Sequence, residues 1–173
     1  MKKIGIFYGP AGGSTERIAK QIQKEIGTDN ADLMLIKDSK ASDIDKYENI
    51  ILGCSTIGGE TWGATKSKPD WDIFRPEFDK ITYSGKVFAL FGLGDHISYP
   101  RNFVDNMGTI GKTLISKKAK LIGQTNPKDY EFTDSDAVID GKFIGLPIDE
   151  EFESEKSAGR VKIWVEGLKK EFK

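Results

Sequence analysis

Most of the residues in this sequence that could do chemistry lie in three glycine-rich stretches. The first, YGPAGGSTE, sets Gly9, Gly12 and Gly13 ahead of the hydroxyls of Ser14 and Thr15. Exposed backbone N–H groups at the positive end of a helix suit an incoming anion, so a phosphate monoester held by neutral donors is one reading. A glycine turn closed by a Ser or Thr helix cap is the other. The stretch has no lysine of the triphosphate-binding kind and does not match GxGxxG, so neither nucleotide hydrolysis nor a dinucleotide fingerprint is supported. The second stretch, GCSTIGGETWGATKSKP, carries a Gly58-Gly59 pair that can exchange turn conformations at low steric cost, with Ile57 and Trp62 available to pack on a flat ligand. The third, GLGDHISYPRN, supplies Gly92, Gly94, Asp95 and Tyr99. Backbone donors there could read the polar edge of a heteroaromatic ring while Tyr99 stacks on its face.

Other reactive residue types are scarce. A single cysteine, Cys54, excludes an intrachain disulfide and a Cys-rich metal site, and a single histidine, His96, argues against a His-built metal centre. Cys54 ends an apolar run and is expected to be an inert buried thiol. His96 lies in the third stretch, where it could titrate beside a bound ring, but simple loop exposure is its expected state. Glu60, Asp70, Asp72, Asp149, Glu150 and Glu151 read as solvated surface carboxylates.

These stretches need a scaffold, and the apolar pattern indicates one. Short apolar runs at 4–8, 33–36, 49–54, 86–93 and 120–123 alternate with helical patterns at 15–26, 102–116 and a closing helix holding Val161, Trp164, Val165, Leu168 and Phe172. A short helix is predicted from Ser42, capped by that serine. Trp71, Phe74, Phe78 and Ile81 share a face in a segment that Pro76 interrupts. Residues 124–155 are polar and turn-rich, with β-like pieces at 129–132, 137–139 and 142–148, and read as an insertion in the last β-α unit. Continuous apolar strands between helices imply a parallel sheet covered on both faces, and ligands of such sheets sit beyond the carboxyl ends of the strands. The three glycine-rich stretches occupy that edge.

The length of 173 residues fits one domain, 1–173. With 26 Lys and Arg against 27 Asp and Glu the net charge is −1, which gives no basic excess for nucleic acid. No stretch approaches the roughly 20 apolar residues that span a bilayer. The opening MKKIGIFYG has two lysines before an apolar run too short for a signal peptide, so a cytoplasmic protein is expected.

The combination IGIFYG…GSTE.IAK, FGLGD…YP.NFVD, DYEF..S.AV.DGKFIGL.ID and R...WVEGLKKEF resembles the flavodoxins, specifically the long-chain group, over the whole chain. The resemblance implies an α/β, doubly wound, five-stranded parallel sheet of order 2-1-3-4-5. Its last strand is interrupted by an insertion at 124–144. It also implies a noncovalently bound FMN and one-electron transfer between redox proteins that dock transiently at the flavin edge, in a protein expected to be a monomer. The implied FMN contacts are Gly9, Pro10, Ala11, Gly12, Gly13, Ser14 and Thr15 around the phosphate; Ser55, Thr56, Ile57, Gly58, Gly59 and Trp62 on the second loop; and Gly92, Leu93, Gly94, Asp95 and Tyr99 on the third. The phosphate loop departs from the family pattern T-x-T-G-x-T: Pro10 and Gly12 stand where two hydroxyl residues are usual, and only Gly13 and Thr15 fit. Hydrogen bonds to charged groups contribute about 1.5–3 kcal/mol each, so backbone amides, Ser14 and Thr15 must compensate. Ile57 or Trp62 would cover the inner flavin face and Tyr99 the outer. A Gly58 carbonyl would accept a hydrogen bond from the N–H formed at flavin N5 on one-electron reduction. Family members are commonly strongly acidic, whereas this chain is nearly neutral and sets Lys66, Lys68 and Arg101 in or beside the flavin loops. Two other functions share this topology. An FMN-dependent quinone or NAD(P)H oxidoreductase would need a second-substrate pocket, and a phosphate-receiver module would need paired acids after strand one, where Tyr8-Gly9 stand.

Overall fold

The apolar runs become the strands of a parallel sheet because their residues are apolar on both faces and helices cover both. The computed structural model describes residues 1–56 and 68–173. The chain runs β1 (Ile4–Tyr8), α1 (Ser14–Ile26), β2 (Ala31–Leu35), α2 (Ala41–Ile44), β3 (Asn49–Ser55), α3 (Asp70–Phe74), β4 (Val87–Leu93), α4 (Asp105–Ser116) and β5 (Lys120–Ile122). Three short strands, β6 (Val138–Ile139), β7 (Lys142–Phe143) and β8 (Leu146–Ile148), then lead to α5 (Ser154–Glu171). The sheet order is β2-β1-β3-β4-β5, as expected, with all these pairs parallel.

The last strand is split in two along β4. β5 pairs with Val87–Ala89, and β8 pairs with Phe91–Leu93. The intervening chain leaves the sheet, forms the β6-β7 hairpin and returns, so the expected insertion interrupts the edge strand without interrupting the sheet. One face of the sheet packs Ile4, Ile6, Ile51, Ala89 and Phe91 against Ile18 and Ile22 of α1 and Val161, Trp164 and Val165 of α5. The other packs Phe7, Ile50, Leu52, Phe88 and Leu90 against Phe74, Phe78, Met107, Ile110 and Leu114. Fully burying such side chains contributes roughly 1.5–3 kcal/mol each, which makes this sandwich the rigid base for the loops at its carboxyl edge.

Three local expectations are corrected. The second strand is Ala31–Leu35 rather than 33–36: it pairs residue for residue with Ile4–Tyr8, and Ile36 instead opens a 3-10 turn and enters the core. Ser42 does not cap α2. The chain enters that helix at Lys40, whose N–H donates to Asp43 Oδ2 at 2.9 Å, while Glu77 Oε2 accepts from the Ala41 N–H at 2.9 Å. Residues 129–132 form no strand; Tyr130 and Phe132 turn inward against Phe103 and Phe143. Pro76 acts as expected, with α3 giving way to a 3-10 helix at Arg75–Lys80.

Candidate functional site

The first loop joins β1 to α1. Gly9 donates its N–H to Gly53 O at 3.1 Å, the same carbonyl that accepts the Trp71 Nε1–H at 3.1 Å, so the loop base is tied to β3 and α3. A side chain at Gly9 would collide with Ile36 and Asp70 at 2.8–2.9 Å. Beyond it the chain opens outward. Gly12 has φ +80°, and Cβ atoms built on Gly12 or Gly13 would meet nothing within 4 Å. Among the described residues, the N–H groups of Gly13, Ser14, Thr15 and Glu16 and the Thr15 hydroxyl donate to no protein acceptor. These are the free donors of a helix N-terminus, aimed as an anion site requires.

Two charged neighbours shape this loop. The Gly12 N–H donates to Glu16 Oε2 at 2.7 Å, and Lys20 Nζ lies 2.6 Å from Glu16 Oε1. The lysine first, then the Gly12 amide, holds the Glu16 carboxyl below its ordinary value. Arg17 donates to Ser14 Oγ at 2.7 Å and stands 3.5 Å from Glu150 Oε2, so the Ser14 hydroxyl is already an acceptor for a cation.

The second loop is anchored at its start. Thr56 donates its N–H to Leu93 O at 2.9 Å, its Oγ1 accepts from the Asn106 N–H at 3.2 Å, and the Asn106 amide donates to Ser55 O at 2.7 Å. Ile57, Gly58, Gly59, Trp62, Glu60 and Lys66 lie outside the described residues.

In the third loop nearly every backbone donor is spent. Gly94 N–H donates to Ile148 O at 3.0 Å and His96 N–H to Asp149 Oδ2 at 3.0 Å. Asp95 turns its carboxylate back on its own loop, where Oδ1 accepts from Ile97 N–H at 3.0 Å and Ser98 N–H at 2.6 Å, and its carbonyl accepts from Tyr99 N–H at 3.1 Å. Among the described residues, Asp95 N–H is the one backbone donor of 94–99 with no protein acceptor. Gly92 and Leu93 belong to β4 and are buried, with Gly92 set against Met107, so they support the loop from beneath. Tyr99 stands exposed beside Ile97.

His96 and Asp149 are corrected together. The histidine is 5% exposed rather than out in solvent, and Asp149 is 0% exposed rather than a solvated carboxylate. His96 Nδ1 lies 2.5 Å from Asp149 Oδ2. Cys54 is buried as expected, and burial pushes its thiol up to about 12.

Comparison with known proteins decides the family. A flavodoxin family model matches residues 6–164. The chain is 37% identical over 171 residues to a flavodoxin of a Nostoc species, covering 99% of this chain and 98% of that one. It is 41% identical over 169 residues to a flavodoxin of Buchnera aphidicola, covering 97% and 96%. The chain belongs to the flavodoxin family. Among solved structures, the Fusobacterium nucleatum flavodoxin bound to flavin mononucleotide superimposes with a TM-score of 0.88 at 29% identity, covering 100% of both chains. Like other flavodoxins it has the 2-1-3-4-5 sheet, and its three glycine-rich stretches leave that sheet at one edge. Two contributors escaped the sequence reading: Glu16, which looked like any acid in a helix first turn, and the His96–Asp149 pair, whose partners are 53 residues apart. The spacing of Gly12 and Glu16, which lets an N-terminal carboxylate reach back to the turn, was the available signal for the first.

Proposed function

We infer that this flavodoxin carries single electrons between redox proteins with FMN as its cofactor. The observation that carries the reading is the distribution of unspent neutral donors: four consecutive N–H groups and a hydroxyl at the start of α1, and one N–H on the third loop, at the same edge of the sheet. That donor set fits the group. The α1 amides suit a phosphate dianion without a lysine, and the open space over Gly12 and Gly13 leaves room for it. The missing hydroxyls at Pro10 and Gly12 are offset by these amides and by Thr15.

FMN, when bound, supplies an isoalloxazine that takes up and returns electrons one at a time. The chain holds and tunes it. Where the 9–15 loop meets α1, the amides of Gly13, Ser14, Thr15 and Glu16 and the Thr15 hydroxyl would receive the phosphate, with Glu16 fixing the turn at Gly12. Ser55 and Thr56 begin the second loop, from which Ile57 or Trp62 would contribute a side chain stacked on the inner flavin face. The Gly58 carbonyl would accept a hydrogen bond from the N–H that reduced FMN carries at N5, and Gly59 would let that peptide turn. Gly92, Leu93 and Gly94 form the base of the third loop, Asp95 N–H would hold the pyrimidine edge, and the exposed Tyr99 would cover the outer face and exclude water. Enclosure in an apolar, partly dehydrated site opposes the charge of full reduction, which makes the carrier a low-potential one.

The chain 1–173 works as one FMN-binding domain, as a monomer, in the cytoplasm. Redox partners dock transiently at the rim, where Ile97, Tyr99 and Phe152 present apolar surface. No helix among the described residues is long and apolar enough to cross a membrane. Titration of the apoprotein with FMN and with riboflavin tests the assignment. A yellow complex with FMN held more tightly than riboflavin is the expected result. Protein that takes up neither, or that binds both equally, would overturn the phosphate loop as drawn.

A further inference from the structure

The third loop, which leaves β4, is held to the end of the neighbouring β8 by a buried pair that its flavin-facing chemistry does not require. Asp149, directly after β8, is fully buried yet accepts four hydrogen bonds. Its Oδ1 takes the N–H groups of Glu151 and Phe152, both at 2.9 Å, and its Oδ2 takes the backbone N–H of His96 at 3.0 Å and faces His96 Nδ1 at 2.5 Å. A buried carboxylate has only acceptors to offer, so Nδ1 carries the proton in that contact. The other ring face packs edge-on against Phe103, 5.8 Å between centroids. His96 is therefore fixed at three points: main chain, ring nitrogen and ring edge.

The consequence falls on its neighbour. Asp95 lies between Gly94, bonded to Ile148 O, and His96, bonded twice to Asp149. The peptide carrying the free Asp95 N–H is thus clamped on both sides by the same short stretch of chain, and its direction follows from theirs. We propose that His96 and Asp149 are positioning residues for FMN: the ring-to-carboxylate bond sets the orientation of the Asp95 N–H toward the pyrimidine edge of the flavin. The inference rests on the FMN reading above. Without the ring bond the turn keeps two main-chain ties to this stretch, Gly94 to Ile148 and His96 to Asp149; the ring bond, to a carboxylate acceptor in a dry site, adds the restraint that fixes the peptide between them.

The test compares His96→Leu, which keeps the packing on Phe103 but loses the donor, with His96→Asn, whose amide nitrogen stands close to the place of Nδ1. Affinities of the apoproteins for FMN and riboflavin, and the potential of the second electron, are measured for both and for the parent. The leucine variant is expected to bind both flavins about tenfold more weakly, by the same factor, since the phosphate loop is untouched. Its second potential moves negative because a donor to the charged, fully reduced ring is misaligned, and asparagine restores most of both quantities. An unchanged riboflavin affinity in His96→Leu, a loss confined to FMN, or an asparagine variant as weak as leucine would overturn the proposal. Should His96→Leu not fold, the parent suffices: this is the single histidine of the chain, so its ¹⁵N imidazole spectrum needs no assignment. A protonated Nδ1 whose resonance shifts on adding riboflavin is expected, and a resonance indifferent to riboflavin refutes it. Parent protein that binds no flavin at all would instead remove the FMN reading beneath the proposal.

Discussion

Glu16 places a carboxylate at the edge of a site meant for a phosphate, and the two signs of its action can be separated. It organises the turn by accepting the Gly12 N–H, and it repels the ligand that turn receives. In Glu16→Gln the acceptor survives and the charge does not. FMN affinity should therefore rise about three- to tenfold while riboflavin affinity stays level, both read by fluorescence quenching of the flavin. Lys20 and the Gly12 amide hold the carboxyl below its ordinary 4.5. A lowered folded-state value means that the stabilisation is complete above 4.5 and is lost as pH falls through the lower value. The stability gap between parent and Glu16→Gln apoprotein, measured by urea unfolding, should close over that acidic range and remain constant at neutral pH.

The insertion and α4 are fitted to one another through a missing side chain. A Cβ at Gly108 would stand 2.3 Å from the Asp136 carbonyl carbon and 2.4 Å from its oxygen, contacts that backbone cannot yield to cheaply. Gly108→Ala should cost about 1–3 kcal/mol despite the better helix propensity of alanine. Gly159→Ala in α5, where the added atom meets nothing within 4 Å, should instead gain up to about 1 kcal/mol. Urea denaturation of the two variants gives opposite signs if the reading is right. The same insertion grips the third loop, since Pro100 O accepts from Thr133 N–H at 2.7 Å and Asp134 N–H at 2.9 Å. Elements of this kind divide into those a sequence reveals and those it hides. The strands β1, β3 and β4 were legible because five to seven apolar residues in a row, closed by glycine or a polar turn, admit few alternatives. The start of β2 was not, because Asp32 interrupts its apolar run and only pairing with β1 sets its register. In the candidate site, the three loops were legible from composition and order. The use of Asp149 was not, because a carboxylate becomes a buried acceptor only when a donor from elsewhere in the chain is brought against it.

At the scale of the whole molecule, near neutrality and a two-sided core are both consistent with a small carrier whose working edge is confined to loops. The core is also shared between distant parts of the sequence: α1 and α5 cover one face together, and Trp164 Nε1 reaches Gly123 O at 2.8 Å. Lys2 N–H donates to Lys173 O at 2.7 Å, so the residues before β1 and after α5 lie side by side at the edge away from the loops.

The split edge strand has one more consequence. The β6-β7 turn, where Asp140 and Gly141 both take positive φ, protrudes into solvent, and neither half of the edge strand depends on it. The piece beyond it stays attached through β8 on β4, through α5 on α1, and through the paired Thr125 and Phe143 main chains at 3.0 and 3.1 Å. A protease site engineered at 140–141 should therefore be cut without release of either product: the two polypeptides should co-elute on gel filtration, still yellow, and part only in denaturant. Separation under native conditions would mean that the continuity of the backbone, rather than the contacts across the sheet, holds the carboxyl-terminal segment in place. Co-elution would make this turn a site where a foreign sequence can be spliced into an electron carrier at no cost to its pigment.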